Sequence, residues 1–219
     1  DASILADKAN MKLNNNTFTV TNGNNKVRNG VIVNAAGVKL VDNNFTVNGS
    51  GNNGVVVLSG KDATFTRNNN GRNEFNISSA AGSSDNNGIV NDGEITVKDA
   101  KFTIGGENSN GIFNTSNGKG KVSTSQFNIN AKHSNGIRHD GSNAFTARES
   151  TFDIDANEAN GITTSKEIVS EKSDFNVNGT GDTKEKSNGI VLSGSGSKVT
   201  VKGGTLTVKA DNSTGINSQ

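Results

Sequence analysis

The hydrophobic residues of this chain alternate with polar ones in short segments, and the segments repeat. A typical segment reads apolar-x-apolar, then four residues, then Phe-x-apolar, as in Met11-Lys12-Leu13 followed by Phe18-Thr19-Val20. Apolar residues at a spacing of two indicate β-strands with one buried face. No stretch sustains the 3.6-residue period of a helix, so the sequence predicts an all-β protein.

A second repeated feature is the tripeptide Asn-Gly-Ile, or a near variant of it, which occurs eight times. Counted from glycine to glycine, the steps are 24, 34, 23, 25, 25, 28 and 26 residues. A period in the twenties is typical of a solenoid. The Asn-Gly pair is predicted to turn the chain sharply at one corner, because both residues tolerate positive φ. The eight glycines are Gly30, Gly54, Gly88, Gly111, Gly136, Gly161, Gly189 and Gly215.

Each period has room for three short strands, one at Asn-Gly-Ile, one at the apolar pair and one at the Phe-x-apolar pair. Three strands in about 25 residues leave no space for the crossover helix of a βαβ unit. We therefore predict a parallel β-helix, a solenoid of about eight three-stranded coils, with residues 1–219 forming a single domain. One column of large residues should stack along the interior: Phe18, Phe45, Phe75, Phe102, Phe127, Phe152, Phe175 and Leu206.

Departures from the regular period predict loops at the corners. The long step between Gly54 and Gly88 contains a polar stretch that predicts a corner loop over residues 66–74, and residues 80–85 are expected to make a second extension. The mixed-charge stretch 179–187 predicts another corner loop. The remaining corners are short, which leaves little material for a substrate cleft.

The composition suits a thin rod better than a round globule. Only 30% of the 219 residues are hydrophobic and the net charge is +1, whereas a solenoid needs only a narrow strip of core in each coil. Balanced charge gives no reason to expect nucleic acid as a partner. No apolar run approaches the roughly 20 residues of a membrane span, so direct membrane insertion is not expected. The absence of cysteine fits a secreted bacterial protein.

The candidate metal-binding and catalytic residues lack the additional side chains that metal binding or catalysis requires. His133 and His139 have no further ligands at metal-binding spacing, and strand parity places His139 inward or at a corner. Asp153 and Asp155 flank Ile154, but asparagine occupies the equivalent positions in the neighbouring coils, so no carboxylate cluster forms. The sequence therefore predicts no catalytic, cofactor-binding or metal-binding residues, and no enzyme activity.

Two outward-facing rows are the candidate contact surfaces. The first would be an exposed apolar stripe on the Asn-Gly-Ile strands, and such stripes are commonly interfaces; a covered stripe is the alternative interpretation. Its members are Ile32, Val56, Val90 and Phe113. The second is a polar row on the Phe strands, which could hydrogen-bond a partner or simply be solvated surface. Its members here are Thr103, Asn128, Asp153 and Asn176.

With its repeated Asn-Gly-Ile segments, its coils rich in Gly, Asn, Ser and Thr, and its lack of Cys, the chain resembles the passenger domains of Gram-negative autotransporter adhesins. The resemblance covers essentially the whole chain. It implies a right-handed β-helix on the cell surface, anchored to the outer membrane through a part of the protein outside this sequence. In self-associating members, helices from neighbouring cells pair along their lengths. No family binding motif is present, so no binding residue is transferred.

These observations lead us to expect a fragment of a longer passenger that acts as an adhesin in cell–cell aggregation, biofilm formation or host attachment. Its partner would be another copy of itself, or a host extracellular-matrix protein or glycan. Two alternatives remain open. One is a carbohydrate-active β-helix enzyme, such as a polysaccharide lyase or a tailspike-like hydrolase, and the other is an inert structural stalk.

Overall fold

The computed structural model describes residues 1–21, 26–79, 85–179 and 186–219, and they form an all-β parallel solenoid of about eight turns. The predicted parallel solenoid is confirmed. None of the described ranges contains a helix, so none contains one long and apolar enough to cross a membrane.

Most strands have three to five residues, and two strands near the C-terminal end have 11. In chain order they are β1 (Ala2–Ala6), β2 (Lys12–Asn14), β3 (Thr17–Val20), β4 (Asn29–Val33), β5 (Val38–Val41), β6 (Asn44–Val47), β7 (Asn53–Val57), β8 (Asp62–Thr66), β9 (Glu74–Ile77), β10 (Asn87–Asn91), β11 (Glu94–Lys98), β12 (Lys101–Ile104), β13 (Asn110–Asn114), β14 (Lys119–Ser123), β15 (Gln126–Ile129), β16 (Asn135–His139), β17 (Phe145–Arg148), β18 (Thr151–Ile154), β19 (Asn160–Thr164), β20 (Glu167–Val177), β21 (Asn188–Leu192), β22 (Lys198–Val208) and β23 (Thr214–Ser218).

These strands form two parallel sheets. The eight Asn-Gly-Ile strands and β1 make a nine-stranded sheet in the order β1-β4-β7-β10-β13-β16-β19-β21-β23. The others make a 14-stranded sheet in the order β2-β5-β8-β11-β14-β17-β20-β18-β15-β12-β9-β6-β3, with β22 on β20. Strand β20 pairs with both β17 and β18, because in this turn one continuous strand of 11 residues covers both positions.

The phenylalanine column is the centre of the core, as the sequence predicts. The predicted last member, Leu206, stands in register with Phe175 but is 39% exposed in the final turn. Successive rings from Phe18 to Phe175 lie 4.6 to 4.8 Å apart between centroids, with planes within 9° of parallel. In-register parallel pairing causes this stacking, since it repeats each residue at the spacing of one turn. Burying each such side chain contributes roughly 1.5–3 kcal/mol.

The predicted role of the Asn-Gly pair is wrong. These pairs lie inside strands, and their glycines are absent from the residues with left-handed φ. A Cβ on Gly111 would lie 2.7 Å from the backbone oxygen of Gly136 and 3.1 Å from a ring carbon of Phe127. Glycine is therefore required here because of close packing. The left-handed corner residues come two positions before the Asn, as at His133 and Glu158.

The long corner between Gly54 and Gly88 connects β8, which ends at Thr66, to β9, which begins at Glu74. The carboxylate of Asp42 secures this connection by accepting the backbone N–H of Asn68 at 3.1 Å. The predicted extension over residues 80–85 and the predicted corner loop over 179–187 lie mostly outside the described residues, which exclude 80–84 and 180–185.

Candidate functional site

Five apolar side chains lie in line on the outer face of the nine-stranded sheet, and we call them the apolar row. Strand register places each member directly beside the next, from the first turn to the fifth. They are Leu5, Ile32, Val56, Val90 and Phe113. The four residues named from the sequence are thus contiguous, and Leu5 extends the row by one turn. That extension lies in a segment without the Asn-Gly-Ile signal, so the repeat could not identify it.

The apolar row is only partly open to solvent. Leu5 is 53% exposed, whereas Ile32, Val56, Val90 and Phe113 are half-buried. Parallel in-register neighbours stand about 4.8 Å apart, so each side chain covers the flanks of the next and leaves mainly its tip exposed. Only the tips are therefore available to a partner, and the role of this row in binding stays a prediction.

A cation closes the apolar row at its far end. The guanidinium carbon of Arg138 lies 4.5 Å from the centroid of the Phe113 ring, in a cation–π contact. The same guanidinium donates to the carboxylate of Asp140 at 2.9 Å. Beyond Arg138 the line continues with Thr163 and then Val191, which is buried. The row therefore changes from apolar to polar within one turn.

Polar side chains border the apolar row just past the ends of these strands. The hydroxyl of Thr115 donates to Asp92 at 2.6 Å, and this bond lowers the pKa of the Asp92 carboxyl. The hydroxyl of Ser165 donates to Asp140 at 2.8 Å. Asp92 and Asp140 are therefore held as hydrogen-bonded acceptors beside the row.

An asparagine ladder runs along the other side of the apolar row, at the first residue of each Asn-Gly-Ile strand. In each step the side-chain Nδ2 donates to Oδ1 of the asparagine one turn earlier, at 2.9 to 3.1 Å. The seven members are Asn29, Asn53, Asn87, Asn110, Asn135, Asn160 and Asn188. The next turn has Thr214, and the buried Oδ1 of Asn188 has no hydrogen-bond partner. Sequence reasoning identified the repeated asparagine but gave it a turn-forming role.

The polar row lies on the other sheet. Register places Thr103, Asn128, Asp153 and Asn176 side by side in four successive turns, and all four are half-buried. Asn176 Nδ2 donates to Asp153 Oδ1 at 2.8 Å, so part of the hydrogen-bonding capacity is used within the row. The structure does not bring the two predicted rows into one site.

His139 lies in the core, in the inward position that parity allowed. Its Nδ1 accepts from Asn114 Nδ2 at 3.0 Å and its Nε2 donates to the Glu167 carbonyl at 2.9 Å, which fits the neutral ring. Asn91 continues this network by donating to Asn114 Oδ1 at 2.7 Å. Burial lowers the pKa of His139, against smaller opposing effects of the Glu167 carbonyl and Asp140. This polar network replaces the aliphatic core residues of the earlier turns.

The other groups considered for chemistry are paired on the surface. His133 Nε2 lies 3.1 Å from a carboxylate oxygen of Glu158, and no group of three or more potential metal ligands occurs in the described ranges. A surface cleft of about 490 Å³ lies beside the 67–73 connection. Its two carboxylates are engaged, Asp42 with the loop backbone and Glu74 with Arg72 at 3.2 Å.

Comparison with protein-family models, with curated proteins and with solved structures gave no match to this chain.

Proposed function

We propose that this chain is part of a surface-displayed bacterial adhesin that acts through protein–protein contact along the flank of its solenoid. The observation that carries this proposal is the apolar row, which aligns five apolar side chains in register on one outer face. Aligned apolar tips on an outer surface favour a contact role over a purely solvated one. The resemblance to autotransporter passengers supports a location at the cell surface.

The preferred partner is a second copy of the chain. In an antiparallel twofold arrangement, Ile32 faces Phe113 of the other copy and Val56 faces Val90. Arg138 then faces Leu5 of the other copy at each end of the contact. An isologous contact needs this kind of self-complementary surface.

Each single contact of this kind is weak. Five turns span only roughly 19 Å along the rod. A contact confined to this length buries much less surface than the roughly 1,200–2,000 Å² of stable protein interfaces. Many copies on opposing surfaces compensate through avidity, since later contacts form at high effective concentration. A preorganised rod also loses little conformational entropy on docking.

The number of strands in each coil and the handedness of the coil are part of the same proposal. We assign three strand positions to each coil and a right-handed path, in agreement with the family resemblance. The strong right-handed preference of parallel strand crossovers supports this path. A rod of this form displays one flank continuously to its surroundings.

The two alternatives make different predictions. A carbohydrate-active enzyme needs clustered acids or Lys/Arg in a groove. In the cleft beside residues 67–73 the two acids bind groups of the protein itself, Asp42 the loop backbone and Glu74 the side chain of Arg72. An inert stalk predicts no binding to itself, to matrix proteins or to glycans. In-register pairing alone aligns these positions, whereas neither alternative requires them to be apolar.

The test measures binding of wild type, Phe113→Asp and Thr163→Asp to three immobilised targets: the protein itself, matrix proteins and polysaccharides. Thr163 lies on the same line two turns further on and is the matched control. Binding to the protein itself that Phe113→Asp abolishes and Thr163→Asp retains would support the proposal. Shortened polysaccharide would favour the enzyme, and no binding to any target would favour the stalk.

A further inference from the structure

Asn-Gly dipeptides are chemically labile, and this chain contains 12 of them. The glycine nitrogen attacks Cγ of the asparagine, ammonia leaves and a succinimide forms, which water then opens to aspartate or isoaspartate. Asparagine is accordingly counted among the thermolabile residues. The reaction requires the side-chain carbon and the following nitrogen to approach closely, so the fold decides which pairs react.

Seven of the 12 pairs belong to the asparagine ladder, in which the side-chain amide is kept from approaching the following glycine nitrogen. Each of these seven Asn residues starts a paired strand, and from Asn53 to Asn188 its Nδ2 is bonded to the previous turn. These bonds direct the amide along the rod axis, towards the neighbouring turns. A side chain fixed in this way is not free to fold back over its own backbone.

Three corner pairs are protected differently, because the glycine N–H donates to a backbone carbonyl. Gly71 donates to the Asn68 oxygen at 3.2 Å, Gly118 to Thr115 at 3.0 Å and Gly179 to Ile154 at 3.2 Å. In two of them the asparagine amide is also tied to a carboxylate of the previous turn. One further pair, residues 22–23, lies outside the described residues.

The remaining pair, Asn48-Gly49, has a different geometry. The Gly49 N–H donates to the side-chain Oδ1 of Asn48 itself, at 2.7 Å, instead of to a backbone carbonyl. This bond holds the Asn48 carboxamide carbon next to the nitrogen that would attack it, and it polarises the carbonyl group. Both residues are half-buried in a corner, so water can reach them.

We propose that Asn48 is a site of spontaneous modification, which converts through a succinimide to aspartate and isoaspartate ahead of the other described Asn-Gly pairs. The N–Cγ bond forms as the C–NH₂ bond breaks, with loss of ammonia. One water then hydrolyses the imide, so no enzyme or redox partner is needed. The adhesin proposal plays no part in this inference.

Modification of Asn48 would disturb hydrogen bonds within its own turn and to the neighbouring turn. The Asn48 carbonyl accepts Asn52 Nδ2 at 2.6 Å, and Asn52 in turn accepts the backbone N–H of Arg28 at 2.9 Å. Isoaspartate lengthens the backbone by one carbon and adds a negative charge at this point. The corner that precedes β7 would lose its registered hydrogen bonds.

The experiment incubates folded protein in mildly alkaline buffer and follows each Asn-Gly peptide by mass spectrometry, with fragmentation that distinguishes isoaspartate from aspartate. We expect Asn48 to convert at least about tenfold faster than any other described pair, in line with the sensitivity of such reactions to positioning. The same protein unfolded in urea is the internal control, and there the described pairs should convert at similar rates. Asn48→Gln should remove the fast reaction and leave the others unchanged.

Two outcomes would overturn the proposal. One is a described pair, such as Asn70-Gly71 or a ladder pair, that reacts as fast as Asn48 in the folded protein. The other is an Asn48 rate that is no higher in the folded chain than in the unfolded chain, because the fold would then contribute nothing.

Discussion

Substituting Gly136 by alanine tests the close packing between the glycines of the Asn-Gly-Ile strands and the phenylalanine column. The added Cβ would lie 2.7 Å from the backbone oxygen of Gly161 and 2.9 Å from a ring carbon of Phe152. Favourable contacts between carbon atoms begin near 3.5 Å, so both neighbours must move. Neither can move easily, because Gly161 belongs to a paired strand and Phe152 is stacked between two rings at 4.6 Å.

Overpacking of a filled core typically costs about 1–3 kcal/mol, and the backbone obstacle puts this case near the upper end, at about 3 kcal/mol. Equilibrium unfolding in urea measures the loss directly. Gly196→Ala is the matched control, since its Cβ would meet only Ser165 O, at 3.8 Å, and its φ is not left-handed. The control should change stability by less than about 0.5 kcal/mol or raise it slightly. A Gly136→Ala loss as small as that of the control would refute the packing role.

Three further predictions concern the core and the ladder. Phe127→Ala should lower the free energy of unfolding by about 3–5 kcal/mol in urea titrations, because it leaves a cavity between two stacked rings; a near-neutral result would contradict the buried column. Because burial lowers the pKa of His139, the unfolded chain takes up its proton first, and stability should fall as pH drops below about 6.5. His139→Asn should flatten that part of the pH profile, and an unchanged slope would exclude His139 as its source. Thr214→Asn should donate to the unpaired Oδ1 of Asn188 and stabilise by about 1 kcal/mol in thermal or urea unfolding, whereas Thr214→Asp, which lacks the donor, should not.

The repeat makes much of this fold predictable, because a parallel solenoid repeats the structure of one coil along the chain. Once a period-two pattern recurs every 25 residues or so, equivalent residues must stack, and the column from Phe18 to Phe175 follows directly. The inward position of His139 beside Asn114 follows from the same parity. An error in assigning one strand does not change the predicted register, because the other turns determine it as well.

The features that the sequence did not reveal depend on distances between turns or on local backbone torsions. The Asn-Gly pair is a common turn signal, but here Gly136 lies in an extended strand. Its lack of a side chain allows the ring of Phe152 to pack closely against it. Leu5 joins the apolar row through pairing with Ile32, although its own segment lacks the repeat. The bond from Gly49 to the Asn48 side chain is set by backbone torsions that composition does not encode. Exposure of the apolar row also depends on mutual shielding, which parity alone does not show.

The most direct measurement is the mass of the protein in solution by sedimentation over a wide concentration range, for wild type, Phe113→Asp and Thr163→Asp. Circular dichroism of each variant would verify that the solenoid is intact. A flank that binds a second copy predicts weak dimers of wild type and of Thr163→Asp that grow with concentration and disappear in Phe113→Asp. A wild-type protein that stays monomeric throughout, or dimers that survive Phe113→Asp, would contradict contact through the apolar row.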